Sequence, residues 1–203
     1  MITTMQMFAT VTGKTGGIMN RNNDYNKTKI ASVSTGKAVV DIYADCFAIE
    51  KVKLVISEYE GNKASIDTYI KFADFLRITE QVRNKDIFTK IRKSGGKGVD
   101  LYRGGTPAAR AKRQDGKAIA KILTMNMSET GTIFLNASRG PGKESGKGAL
   151  IPDGAPENRI SVSMTYEDCY AMFNYTELAI KTYLPRLFGG IFAEVERRMA
   201  EVS

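Results

Sequence analysis

The chain gathers its cations in one place. From Arg83 to Lys121 it carries 12 Lys and Arg against three acids, Asp86, Asp100 and Asp115, a net +9. The other 164 residues hold 18 basic and 19 acidic groups, so the whole-chain charge of +8 belongs to the middle of the sequence. Such a belt suits a polyanion, because each phosphate neutralised by Lys or Arg releases a condensed counterion. A solvated linker kept basic for solubility accounts for the same charge, so the neighbouring side chains must discriminate.

Catalytic chemistry has little to work with. The chain has no His, which removes Ser-His-Asp and Cys-His catalysis and the usual general base near neutral pH. Cys46 and Cys169 are its only thiols, too few for a disulfide scaffold or a four-thiolate zinc site. Gly13-Lys14, Gly36-Lys37 and Gly146-Lys147 invite a phosphate-loop reading. The spacing G-x-x-x-x-G-K-[ST] then requires Gly where Phe8, Ala31 and Pro141 stand, and all three fail. Asp41, Asp45 and Glu50 could in principle hold Mg²⁺ for a nuclease, but they are spread across a strand and its turn. The expectation is a protein that is not an enzyme and holds no cofactor and no metal.

What remains is recognition by basic groups, aromatics and sheet surface. Single strands are bound by stacking bases on aromatic rings while Lys and Arg follow the phosphates. In the first half, Lys37, Tyr43, Lys51, Lys53 and Tyr59 fall on the solvent side of predicted strands. In the second, Ile133, Leu135 and Ala137 alternate inward, which sends Phe134 outward beside Asn136 and Arg139. Lys117, Lys121 and the Arg110, Lys112, Arg113 cluster supply further phosphate partners. Lys143 and Lys147 sit in GPGKESGKG, which reads equally as a flexible clamp or a long hairpin tip. Packing under a loop or in an oligomer contact would also explain Phe134, and plain cross-strand pairing would explain Tyr43 and Tyr59.

These residues need elements to hold them. The first 26 residues read as an arm in which MQMFATV is the one strand-like piece. Lys27 to Val33, Lys37 to Ala44 and Glu50 to Tyr59 alternate as strands, and Glu60-Gly61-Asn62 makes a turn. A short strand through Ile66 leads to Asp67, read as the N-cap of a helix carrying Tyr69, Phe72, Leu76 and Val82. Residues 84–116, broken by SGGKG and RGGTP, cannot form one regular element and are expected to include a long mobile loop. Strands at Lys117 to Met127, Thr132 to Arg139, Ala149 to Ile151 and Arg159 to Met164 follow. Thr165 caps a helix from Tyr166 to about Leu184, Pro185 and Gly189-Gly190 punctuate it, and a last helix spans Ile191 to Val202.

The resulting organisation is a single domain of two repeats over residues 1–203. A first ββββα unit spans 27–83, a basic connection 84–116, a second ββββα unit 117–190 and a helical tail 191–203. No run approaches the roughly 18 apolar residues of a membrane span, and MITTMQMFATVTG has neither a basic leader nor a long apolar stretch. A cytoplasmic protein with no membrane partner is expected.

Taken together, these units resemble the whirly family of single-stranded DNA-binding proteins. That family's first repeat carries lysine, glycine, lysine, alanine, alanine, leucine at its second strand; here Thr35-Gly36-Lys37-Ala38-Val39-Val40 fills the frame. Its second repeat is similar to Gly116-Lys117-Ala118-Ile119-Ala120-Lys121 through Ile133-Phe134-Leu135-Asn136-Ala137-Ser138. Val162-Ser163-Met164-Thr165 and Leu184-Pro185-Arg186-Leu187-Phe188-Gly189 match the family's closing strand and helix end, and Gly190 stands where the family usually has tryptophan. The resemblance spans about residues 28 to 190. It implies an α+β fold of two antiparallel four-stranded sheets with helices that pack a tetramer, and single-stranded DNA lying along sheet surfaces between protomers. An RNA-binding or annealing protein on the same fold, and a basic adaptor subunit docking an acidic protein, are the rival readings.

Overall fold

The computed structural model describes residues 27–60, 64–146 and 148–202. The expected MQMFATV strand, the Gly61-Asn62 turn and Lys147 lie outside the described residues. The fold is α+β, with two antiparallel sheets and a long C-terminal helix.

Four strands, β1 (Lys29–Ser34), β2 (Ala38–Tyr43), β3 (Lys51–Glu58) and β4 (Ser65–Lys71), form the first sheet in sequence order. Val40, Ile42, Leu54, Ile56, Ile66 and Ile70 alternate onto one face and are buried there. The Asp67 cap is not observed: Asp67 sits inside β4, cross-strand from Val55. Ile66, Thr68 and Ile70 bury with period 2, and that pattern prevails over the looser helical spacing of Tyr69 and Phe72. Helix α1 (Phe72–Arg83) starts only at Lys71, buries Phe75, Ile78 and Val82, and is followed by α2 (Asp86–Lys93), which buries Ile87, Phe88 and Ile91.

Most of the basic connection is regular structure, where a long mobile loop was expected within it. Its first part is α2, whose apolar residues recur at helical spacing with cations in the last turn, where they complement the helix dipole. Gly95, Gly96 and Gly98 then turn at positive φ into β5 (Val99–Thr106), an edge strand of the second sheet, and α3 (Ala108–Ala111) follows. The second sheet has five strands rather than four. β6 (Ala118–Met127) lies between β5 and β7 (Ile133–Glu144); the far edge of β7 pairs with β8 (Leu150–Pro152) near its end and β9 (Asn158–Met164) along its length. The expected Gly-Lys loop is thus mostly strand, because β7 continues through Gly140-Pro141-Gly142 to Glu144 and turns only at Ser145.

Helix α4 (Tyr166–Val202) runs as one 37-residue helix, not two. Thr165 caps it as expected: its Oγ accepts the Asp168 N–H at 3.1 Å and donates to the Asp168 carboxylate at 2.9 Å. Pro185 removes one backbone donor on an exposed stretch, a local cost that helical periodicity on both sides outlasts. Cys169, Met172, Phe173 and Ile180 bury in the core, Phe173 stacked on Phe75 of α1 at 5.2 Å. One apolar core joins both sheets and the helices. Beyond it, α4 leaves Phe188, Ile191, Phe192, Val195 and Met199 exposed. Among the described residues, no helix is long and apolar enough to cross a membrane.

Candidate functional site

The outer face of the second sheet forms a groove of about 560 Å³. β6 contributes Ile122, Thr124 and Asn126, β7 contributes Asn136 and Ser138, and β9 contributes Arg159 and Ser161. The register aligns Thr124, Asn136 and Ser161 in one row, and Ile122, Ser138 and Arg159 in the next. Asn126, Phe134 and Ser163 form the row beyond. Alternation explains the whole floor, since Leu123, Met125, Ile133, Leu135, Ala137, Ile160 and Val162 fill the opposite face. Phe134 does lie on the outer face, half-buried, opposite Asn126. Asn136 Oδ1 accepts the Ser161 hydroxyl at 2.7 Å, while the buried Asn126 Oδ1 has no partner.

Residues 152–156 make the groove's side wall. The wall packs against β7 because position 140 is Gly: a Cβ there would stand 2.8 Å from the Pro156 Cα. Cations of the basic belt hold it. Arg113 donates to both carboxylate oxygens of Glu157, at 2.9 and 2.7 Å, and to both of Asp115. Lys117 reaches Asp153 at 2.7 Å. Hydrogen bonds from Arg113 keep the Asp115 and Glu157 carboxyls below their ordinary range, and Lys117 does the same to Asp153.

The residues singled out in the sequence therefore separate. Lys53 pairs with Asp45 at 3.0 Å and lies over the Tyr43 ring. Tyr43 itself is only 8% exposed, so it is not the open stacking ring that alternation predicts; its hydroxyl donates to Asp41, and Lys29 also covers its ring. Asp41 and Asp45 are thereby engaged by lysines, and among the described residues no three acids or thiols gather where they could hold a metal ion. Tyr59 is exposed just past β3. Lys121, on the core side of β6, is 11% exposed and pairs with Asp67 of β4 at 2.7 Å, joining the two sheets. Lys37 is exposed in the β1–β2 turn, Arg110 and Lys112 are exposed around α3, and Arg139 is half-buried on β7. Lys143 stands 3.8 Å from Asp153.

A second cleft, also about 560 Å³, opens between β4, the start of α1 and β5. Tyr69, Lys71, Arg77, Tyr102 and Arg103 line it, none of which the sequence reading selected, together with Lys51, which it did. Burial and the hydrogen bond to Asp67 push the Tyr69 phenol up to about 12, and burial likewise raises Tyr102. Both rings stay neutral. Lys90, Arg92, Lys93 and Lys97 around α2 are exposed and, among the described residues, in no ion pair.

The chain matches no family model and no curated protein.

Proposed function

We propose that this chain is a non-enzymatic single-stranded DNA-binding protein of little sequence specificity, built on a whirly-like plan of two sheet-and-helix units and working as a homo-oligomer. The observation that carries the reading is the groove on the second sheet. Its floor offers hydroxyls and amides, its lining contains no acid, Arg159 stands at its side, and Phe134 lies on the same face in the adjoining row, opposite Asn126. Exposed base edges can use those donors and acceptors, and an unstacked base can use the ring; a duplex hides both. The chain's net +8 supplies the attraction for a phosphate backbone.

Self-association is supported by α4. Phe188, Phe192, Val195 and Met199 follow alternating spacings of four and three, the stripe by which helices pair, and all are exposed. A second copy would cover them.

Fluorescence anisotropy with a labelled mixed-sequence 30-mer tests the function. Log affinity is expected to fall linearly with log salt, and Phe134→Ala to weaken binding by the loss of one stacked base, about 1–3 kcal/mol. Duplex of the same sequence should compete poorly. Affinity indifferent to salt, or duplex competing as well as the single strand, would remove the reading; matched RNA competing better than DNA would move it to RNA.

A further inference from the structure

We infer that the cleft between the two sheets is a phosphate site sized for one nucleotide, holding either the phosphorylated end of a strand or a free nucleotide. Two local rules are broken at one point. Lys51 and Lys71 stand directly opposite each other on β3 and β4, a like-charge cross-strand pair. Lys71 is also the N-cap of the 12-residue helix α1, a position that favours Ser, Thr, Asp or Asn, and no side chain caps that helix. Asp74 in the first turn of α1 offsets the helix's positive end and pairs with Arg77, so the charge left unbalanced at this point is that of the two ammonium groups. Among the described residues, neither lysine has a carboxylate partner.

The rest of the cleft fits the same ligand. Arg77 and Arg103 stand at its rim, each holding its own acid, Asp74 at 3.2 Å and Asp100 at 2.5 Å. Those two pairs leave Lys51 and Lys71 as the uncompensated charge. Tyr69 and Tyr102 give the wall ring surface; the Tyr69 hydroxyl donates to Asp67, and the Tyr102 oxygen accepts the Gly105 backbone N–H. A volume of about 560 Å³ lies in the range of small-ligand sites. A dianionic phosphate would bridge the two lysines, and its nucleoside would rest against the tyrosines.

The strand-end form of this site rests on the proposed function; the free-nucleotide form does not. The test uses the full chain and the double variant Lys51→Gln/Lys71→Gln, with circular dichroism to show that both fold. Probes are dAMP, inorganic phosphate, and one short oligonucleotide carrying either a 5′-phosphate or a 5′-hydroxyl. Tighter binding of the 5′-phosphate strand, by about tenfold, together with displacement by dAMP and loss of that preference in the double variant, is the expected result for a strand end. Binding of dAMP and phosphate that the variant abolishes, with no strand bound at all, would uphold the cleft and refute the proposed function. Strand binding with no preference for the phosphorylated end, and no dAMP binding, would overturn the cleft alone. A second readout is independent of any ligand: the variant should melt higher than the parent, because it removes the opposed charges. A lower melting temperature would mean that the lysines serve the fold.

Discussion

Lys121 is where charge and fold make opposite predictions. By position it belongs to the basic belt, and a phosphate role would be natural. Its ammonium instead lies 2.7 Å from Asp67 across the junction of the two sheets, with side chains 11% and 36% exposed. Lys121→Met keeps the stem and removes the charge. An exposed pair contributes about 0–1 kcal/mol, whereas breaking a fully buried one costs about 3–5. This pair lies between, so the expected loss is about 1.5 kcal/mol, or about 3–6 °C in Tm for a chain of this size.

Urea unfolding of Lys121→Met, Asp67→Asn and the double variant measures the coupling. Burial raises the Asp67 pKa, but the hydrogen bond and charge of Lys121 outweigh it, and the carboxyl titrates below its ordinary 3.8. A depressed carboxyl adds stability above the unfolded pKa and loses it as pH falls through the folded one. The coupling should therefore be full at pH 7 and fade below about pH 4. In strand binding, Lys121→Met should leave the salt slope unchanged. A slope smaller by about 0.7 with unaltered stability would show that Lys121 contacts phosphate, and would refute this account.

Two further outcomes follow from the core. Phe173→Ala, which removes the ring stacked on Phe75 beneath both helices, should cost about 3–5 kcal/mol by chemical denaturation; a loss under 1 kcal/mol would mean that α4 is not anchored there. Burial pushes the Cys169 thiol up to about 12, so in the native protein iodoacetamide should modify only Cys46 at neutral pH, and Cys169 only after unfolding. Mass spectrometry of the native protein showing Cys169 alkylated as fast as Cys46 would contradict that burial.

Local periodicity carried much of the fold. Ile133, Leu135 and Ala137 alternate cleanly, which was enough to put Phe134 on the outer face, and Thr165 announced the start of α4. Where two periods competed, the sequence misled: Tyr69, Phe72 and Leu76 imitate a helical stripe, but Ile66, Thr68 and Ile70 form a better strand. Glycines and charges hid α2 and β5 within residues 84–116, although Ile87, Phe88 and Ile91 carried the helical signal. With β5 unseen, the second cleft had no opposite wall, and Tyr102 and Arg103 could not be brought to Lys71. Ion pairing was the least legible feature. Asp67 and Lys121 are 54 residues apart, and nothing near either one names the other.

That non-local pairing changes what the basic belt can do for a polyanion. Eleven cations stand out in the sequence as phosphate partners, and if all engaged a single strand, the salt slope would approach about −8. Lys53, Arg113, Lys117 and Lys121 already hold carboxylates, Arg113 holds two, Lys143 stands 3.8 Å from Asp153, and Lys147 lies outside the described residues. Drawing the first four onto a phosphate would first expose Asp45, Asp115, Glu157, Asp153 and Asp67 as repelling charges, and Arg113 and Lys117 would release the groove wall as well. Lys37, Lys51, Arg110, Lys112 and Arg139 have no such partner among the described residues. Five contacts give a slope of about −3.5 per protomer. A measured slope near −8 would mean that the ion pairs open on binding and that the wall at residues 152–156 moves with them; a slope near −3.5 would mean that the paired cations stay with their carboxylates and only the unpaired ones meet phosphate.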